Sequence, residues 1–138
     1  MTGTQTDAAA ADRDKMVRDM CAAVDAHEFE RFGSYFTDTA YYRFGNSAPV
    51  HGRAAIVAAT AGAVASIPPV RHRIDQIAQL DDQLFCRFTI EVAAEDGTVA
   101  MPCVTVIRLA PDSGTGVPKI IDYRVHMDIS PALVPPPA

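Results

Sequence analysis

The chain predicts an α+β fold: a curved, mostly antiparallel sheet with N-terminal helices covering one of its faces. Three observations carry this. Apolar residues near the start recur at helical spacing (Met16, Val17, Met20, Cys21, Val24). A second apolar stretch, alanine-rich, stops at Pro68 and Pro69. From Val70 onward the pattern changes to a period of two, interrupted by turn-forming residues at hairpin spacing. Helices followed by a run of hairpin-linked strands must bury one sheet face under the helices.

Taken in order, the first helix is expected from Thr6 to about Phe32, with Asp7 as its cap. Asp12, Arg13, Lys15, Arg18, Asp19 and Asp25 fall on its solvent side, and a bend after His27 leads into a short second helix jointed at Gly33. Thr37, Asp38 and Thr39 suggest a turn, and Ala40 to Phe44 a strand with Tyr42 and Phe44 on one face and Tyr41 and Arg43 on the other. A Gly-Asn-Ser-Ala-Pro loop follows. The next helix, Arg53 to Ser66, has little polar surface and is expected to be largely covered.

Four strands are then predicted: Val70–Leu80, Gln83–Ala93, Thr98–Ala110 and Lys119–Ile129. Asp81-Asp82 and Glu95-Asp96-Gly97 form the first two turns. Pro102 implies a bulge or an edge. The Pro-rich tail after Ile129 is not expected to continue a helix or a central strand. No repeat or linker divides the chain, so residues 1–138 are read as one domain with its core between about 12 and 130.

Composition narrows the function. With 49% hydrophobic residues, 138 residues can bury roughly 68–70% of the surface the unfolded chain exposes. A net charge of −5 opposes nucleic-acid binding, which needs a basic surface. No apolar run reaches the roughly 18 residues of a membrane span, and Met-Thr-Gly-Thr-Gln-Thr-Asp has no signal-peptide character, so a cytoplasmic protein is the default. Three cysteines without a Cys-x-x-Cys, and four histidines without a His-x-x-x-His, give no disulfide framework and no metal site. Cys86 and Cys103 read as core. Gly-Thr-Gly at 114–116 lacks the strand–helix context of a nucleotide loop.

Four segments resemble one known family: Tyr-Phe-Thr-Asp-Thr-Ala-Tyr-Tyr-Arg-Phe, Pro-Val-His-Gly-Arg-Ala-Ala-Ile, Arg-His-Arg-Ile with Gln-Leu-Asp-Asp, and Lys-Ile-Ile-Asp-Tyr-Arg-Val-His-Met-Asp. Together they span roughly residues 15 to 130. The resemblance is to the SnoaL-like proteins of the nuclear transport factor 2 superfamily. These are cone-shaped folds that include polyketide cyclases, steroid isomerases, scytalone dehydratase and limonene epoxide hydrolase. It implies a ligand pocket between the helices and the concave sheet face, no cofactor, and homodimerisation through the convex face.

Alternation then selects the residues pointing into such a pocket. They are Tyr42 and Phe44; Val70, His72, Ile74 and Leu80; Cys86, Phe88 and Ile90; Cys103, Thr105 and Ile107; and Ile121, Tyr123, Val125, Met127 and Ile129. The outer face becomes a ladder of charges: Arg43, Arg71, Arg73, Asp75, Arg87, Glu91, Arg108, Asp122, Arg124, His126 and Asp128. His72 stands where the resemblance places a pocket histidine, an acid/base candidate. Tyr42 matches a pocket tyrosine. The expected ligand contacts are Phe44, Asn46, Phe88, Cys103, Thr105, Tyr123, Val125 and Met127, around a small hydrophobic molecule of polyketide, terpenoid or steroid type.

The chain also departs from the pattern. Phe44, Thr105 and Val125 occupy positions where relatives carry catalytic carboxylates. Asp38 and Asp128 are the remaining acids and read as rim or capping residues. Two functions of different class therefore stand: a cofactor-independent cyclase, isomerase or dehydratase, and a non-catalytic ligand-binding or dimerisation module.

Overall fold

The computed structural model describes residues 3–94, 97–111 and 117–133. Helix α1 (Gly3–Asp25) and the short α2 (Phe29–Gly33) precede strands β1 (Phe36–Phe44) and β2 (Val50–His51). Helix α3 (Arg53–Ala65) comes next, followed by β3 (Val70–Leu80), β4 (Gln83–Ala94), β5 (Gly97–Leu109) and β6 (Ile120–His126). A single turn, α4 (Ser130–Leu133), closes the described chain. The six strands form one sheet in the order β2-β1-β6-β5-β4-β3, antiparallel except for the β1–β6 pair. One apolar core joins α1, α2 and α3 to a single face of this sheet. The α+β class and the sheet covered on its concave side are as the sequence predicts.

The expected bend after His27 and the short second helix are present: helix α1 ends at Asp25 and α2 follows, for a visible reason. His27 adopts a left-handed backbone (φ 60°). Its N–H donates to the Val24 carbonyl at 3.0 Å, and the Glu28 N–H donates to the Ala23 carbonyl at 2.8 Å. That pair of bonds is a Schellman ending, and it turns the chain into α2. Asp25 thereby becomes the last helical residue. Asp7 lies inside the helix, away from the expected cap position.

Long-range pairing corrects several boundaries. Thr37 to Thr39 lie within β1 and form no turn, because Phe36 already pairs with Ile120 across the sheet, and a register shift before Tyr41 takes up the polar residues. A bulge between Ile74 and Gln76 reverses the alternation of β3, so Ile77 faces the core and Leu80 is 62% exposed, contrary to its expected inward position. A second irregularity, between Arg108 and Leu109, buries Ile120 where Ile121 was expected. Pro102 makes no bulge against β4. It lies beyond the last β5–β6 pair (Val104–His126), where β5 has a neighbour on one side and the missing N–H costs no bond to β6.

β6 ends at His126, not Ile129, because Asp128 turns the chain: its Oδ1 accepts the Ser130 N–H at 2.9 Å and α4 begins there. The single turn α4 opens the tail and continues neither a helix nor the strand before it. The expected turn residues Glu95 and Asp96, and most of the 111–118 loop, lie outside the described residues.

Helix α3 is less covered than its composition suggests. Only Ile56, Thr60 and Val64, one stripe at intervals of four, are buried, and a Cβ added at Gly62 would meet open space. The close approach is made instead at Gly33, where a Cβ would collide with Val57 of α3. Gly52 precedes α3 with φ 90°, and its N–H donates to the Ala40 carbonyl at 2.9 Å. A side chain there would be strained, and its Cβ would press on the Asp38 carbonyl.

Candidate active site

His72 sits on β3 opposite Ile90, on the concave side. Its Nδ1 lies 2.6 Å from Asp25 Oδ1, and its backbone N–H donates to Asp25 Oδ2 at 2.9 Å. One carboxylate thus grips both the ring and the main chain of the same residue. A carboxylate can only accept, so Nδ1 carries a proton in this pair, and Nε2 is the ring nitrogen left for a ligand. Phe88 packs edge-on against the imidazole at 5.6 Å, which holds the ring plane. The pair is half-buried, with side-chain exposures of 16% for His72 and 24% for Asp25.

Helical spacing alone assigns Asp25 to solvent, so its place beside His72 is the main correction to the site. An acid in the last turn of a helix opposes the helix dipole, but so weakly that it names no partner.

His72 faces a chamber of about 80 Å³. Val24 and Phe32 form its helical side, with Thr60, Ala63 and Val64 of α3, and Tyr42, Phe44, Ile90, Met101, Cys103, Thr105, Tyr123, Val125 and Met127 its sheet side. Of the expected contacts, six line it: Phe44, Cys103, Thr105, Tyr123, Val125 and Met127. The structure does not bring Phe88 to the chamber wall; it reaches the site through His72. Nor does it bring Asn46 in. That residue is exposed in the rim turn, because the strand has ended at Phe44 and Gly45 (φ 54°) bends the chain outward. Thr60 and Met101 are wall residues the sequence reading missed, Thr60 being the one buried hydroxyl of α3.

Two phenols supply most of the chamber's polarity. Tyr42 and Tyr123 are direct partners in the parallel β1–β6 pair, and their rings stack at 5.4 Å with only 9° between planes. Burial pushes the Tyr42 phenol up, partly offset by hydrogen bonding with the Thr60 hydroxyl. Burial also pushes Tyr123 well above the usual tyrosine range. Both are therefore neutral donors at physiological pH. The Cys103 thiol is raised by burial as well, against the opposing hydrogen bond from Thr105, so it is a poor nucleophile.

Phe44, Thr105 and Val125 put no carboxylate on the chamber wall. Asp128 is the cap of α4, and the Ser130 amide holds its carboxyl below the usual range. Asp38 is exposed and lies 3.3 Å from Arg53. Among the described residues no three His, Cys, Asp or Glu side chains group as metal ligands, and no helix is long and apolar enough to cross a membrane.

The model of the SnoaL-like domain matches residues 17–114 of this chain. The chain belongs to the SnoaL-like family. Solved structures agree on the fold. A protein from Catenulispora acidiphila superposes with a TM-score of 0.76 at 22% identity, covering 92% of this chain and 96% of that one. Aln2 from a Streptomyces species gives 0.72 at 20% identity, covering 86% and 90%. SalBIII, described as an epoxide hydrolase/cyclase-like enzyme in pyran ring formation in the polyether salinomycin, gives 0.68 at 18% identity, covering 94% and 96%. No curated protein matches the sequence significantly. At these identities the neighbours establish the nuclear transport factor 2-like cone and nothing finer.

Proposed function

We propose that this SnoaL-like protein catalyses cofactor-independent proton transfer on a hydrophobic small molecule: a cyclisation, isomerisation or dehydration. The observation that carries the reading is the Asp25–His72 pair, whose imidazole lines an apolar chamber. His72 Nε2 takes a proton from a carbon or hydroxyl of the substrate. Asp25 then stabilises the imidazolium through Nδ1–H. Tyr42, with Tyr123 stacked on it, donates to the oxygen on which negative charge develops, in surroundings where that bond is strong. The imidazolium returns the proton at the new position. Cyclase descriptions among the structural neighbours support the reaction class.

Cyclic ketones incubated in D₂O test this without knowledge of the natural substrate. Their α-hydrogen exchange, followed by NMR, is expected to accelerate with the protein and to fall about 10²–10⁴-fold in His72→Ala. A variant that keeps wild-type exchange would overturn the mechanism. The second reading, a non-catalytic binding module, is favoured by the absence of wall carboxylates at Phe44, Thr105 and Val125; it predicts ketone binding in the chamber with no exchange above buffer.

We further propose that two copies meet through the outer sheet face. There Phe85 and Val104 remain 37% and 41% exposed between charged neighbours. Sedimentation should give twice the chain mass for the native protein and the single-chain mass for Val104→Glu. A native monomer would exclude the contact.

A further inference from the structure

The chamber is small for the substrate classes named above, and its mouth suggests where the rest of a ligand goes. Phe44, Met127 and Ile129 at its rim also line a second hollow of about 510 Å³, together with Gly45, Asn46, Ser47 and Asp128. Gly45 and Asn46 in turn line a third, of about 210 Å³, whose other walls are Arg43, Arg124, Val125 and His126. The shared residues place the three hollows side by side around the rim turn, from the chamber on the concave side to Arg43, Arg124 and His126 on the outer face.

The charges around these hollows are unequal. Arg43 and Arg124 are direct partners in the parallel β1–β6 pair, a like-charge juxtaposition that is unfavourable by itself. Arg124 is compensated: Asp122 holds it through two bonds of 2.8 and 3.0 Å, and it lies 4.4 Å over the Tyr41 ring. Arg43 is not. Its Nε donates to the Ser47 carbonyl at 3.0 Å, and among the described residues no carboxylate oxygen lies within 4 Å of its guanidinium. Asp128 is the acid on the wall of the second hollow, and one of its oxygens accepts the Ser130 N–H. In a chain of net charge −5, a guanidinium without a carboxylate partner, in a polar hollow beyond the rim of an apolar chamber, favours an anion.

We propose that the ligand is an amphipathic organic acid, its apolar part in the chamber and its carboxylate at Arg43 beside Arg124. Arg43 lies at the β1–β6 side of the outer face, two strands away from the Val104 contact proposed between copies. The planar guanidinium fork suits a carboxylate. This rests on the chamber being the ligand site of the function proposed above, and it does not depend on the proton transfer.

Decanoate and decan-1-ol differ only in the charged end and serve as probes by calorimetry at low ionic strength. Decanoate is expected to bind about fivefold to tenfold more tightly than the alcohol, with a preference that shrinks as salt is added. Arg43→Gln should bring the two within about twofold by weakening decanoate alone, while His72→Ala should leave the preference intact even as it abolishes ketone exchange. Equal affinities in the native protein, a preference that survives Arg43→Gln, one lost in His72→Ala, or no binding of either probe would each overturn the proposal. Failure of ketone exchange with the decanoate preference intact would instead count against the proton-transfer reading alone.

Discussion

Asp25→Asn is expected to lower the proton-transfer rate by about 10²–10³-fold with little change in stability. The effect runs through the tautomer. In the native protein the carboxylate accepts from Nδ1 at 2.6 Å and from the His72 amide at 2.9 Å. An asparagine in the same pose keeps one acceptor, its carbonyl oxygen, for the backbone N–H. Its other end is an NH₂ group, which must donate to Nδ1. That moves the ring proton to Nε2, the nitrogen that has to act as base. The imidazole also loses the negative partner that stabilises its protonated form. Packing is conserved, because the side chains have nearly the same shape and Phe88 still supports the ring. Asp25→Ala removes the same catalytic partner but additionally leaves a half-buried N–H unpaired, a cost of about 1–3 kcal/mol. The pair of variants therefore separates positioning from folding. Nitrogen NMR of the imidazole reads the tautomer directly. An Asp25→Asn protein with Nε2 still unprotonated and exchange still at the native rate would show that Asp25 does not position the base.

The same residue shows where the sequence stops being legible. Alternation within one strand is local, so the inward set Cys86, Phe88, Cys103, Thr105, Tyr123 and Val125 could be read directly, and all are buried. His72 was readable for the same reason. Its partner was not: Asp25 and His72 are 47 positions apart, and the helical pattern alone places the acid in water. Bulges are equally invisible, since an extra residue at Asp75 leaves composition unchanged yet exchanges the faces of Ile77 and Leu80. The parallel β1–β6 pair decides three further points together. It carries the strand back to Phe36, stacks Tyr42 on Tyr123 and sets Arg43 against Arg124. Nothing in either segment announces the other, because the five elements from β2 to β5 form between them in the chain. The outer-face ladder was read correctly as charges but not as unequal ones; compensation by Asp122 and its lack at Arg43 emerge only from geometry.

Phe36→Ala should be the most destabilising single truncation near the site, at about 3–5 kcal/mol out of the roughly 5–15 that a domain of this kind possesses. Phe36 is fully buried. Its ring meets Phe32 of α2 edge-on at 5.2 Å and Tyr123 of β6 at 5.4 Å. Those contacts join helix, first strand and last strand in one aromatic cluster. Collapse into the vacated space is opposed by the backbone, since the Phe36 carbonyl accepts from Arg53 Nη2 at 2.8 Å and the residue pairs with Ile120. Much of the cavity term should therefore remain. At this chain length the loss corresponds to roughly 10–20 °C in melting temperature. Denaturant titration should show a lower midpoint with an unchanged slope. The effect should also reach the chamber, because Tyr123 loses the ring behind it and its stack on Tyr42 loosens. Tyr123→Phe is the matched control: it keeps every ring contact and removes only the phenol oxygen, so it should alter ligand polarisation while leaving the midpoint nearly fixed. A Phe36→Ala loss below about 1 kcal/mol would mean that the cluster repacks freely, and the stacked tyrosines would then have no rigid support from which to orient a substrate oxygen.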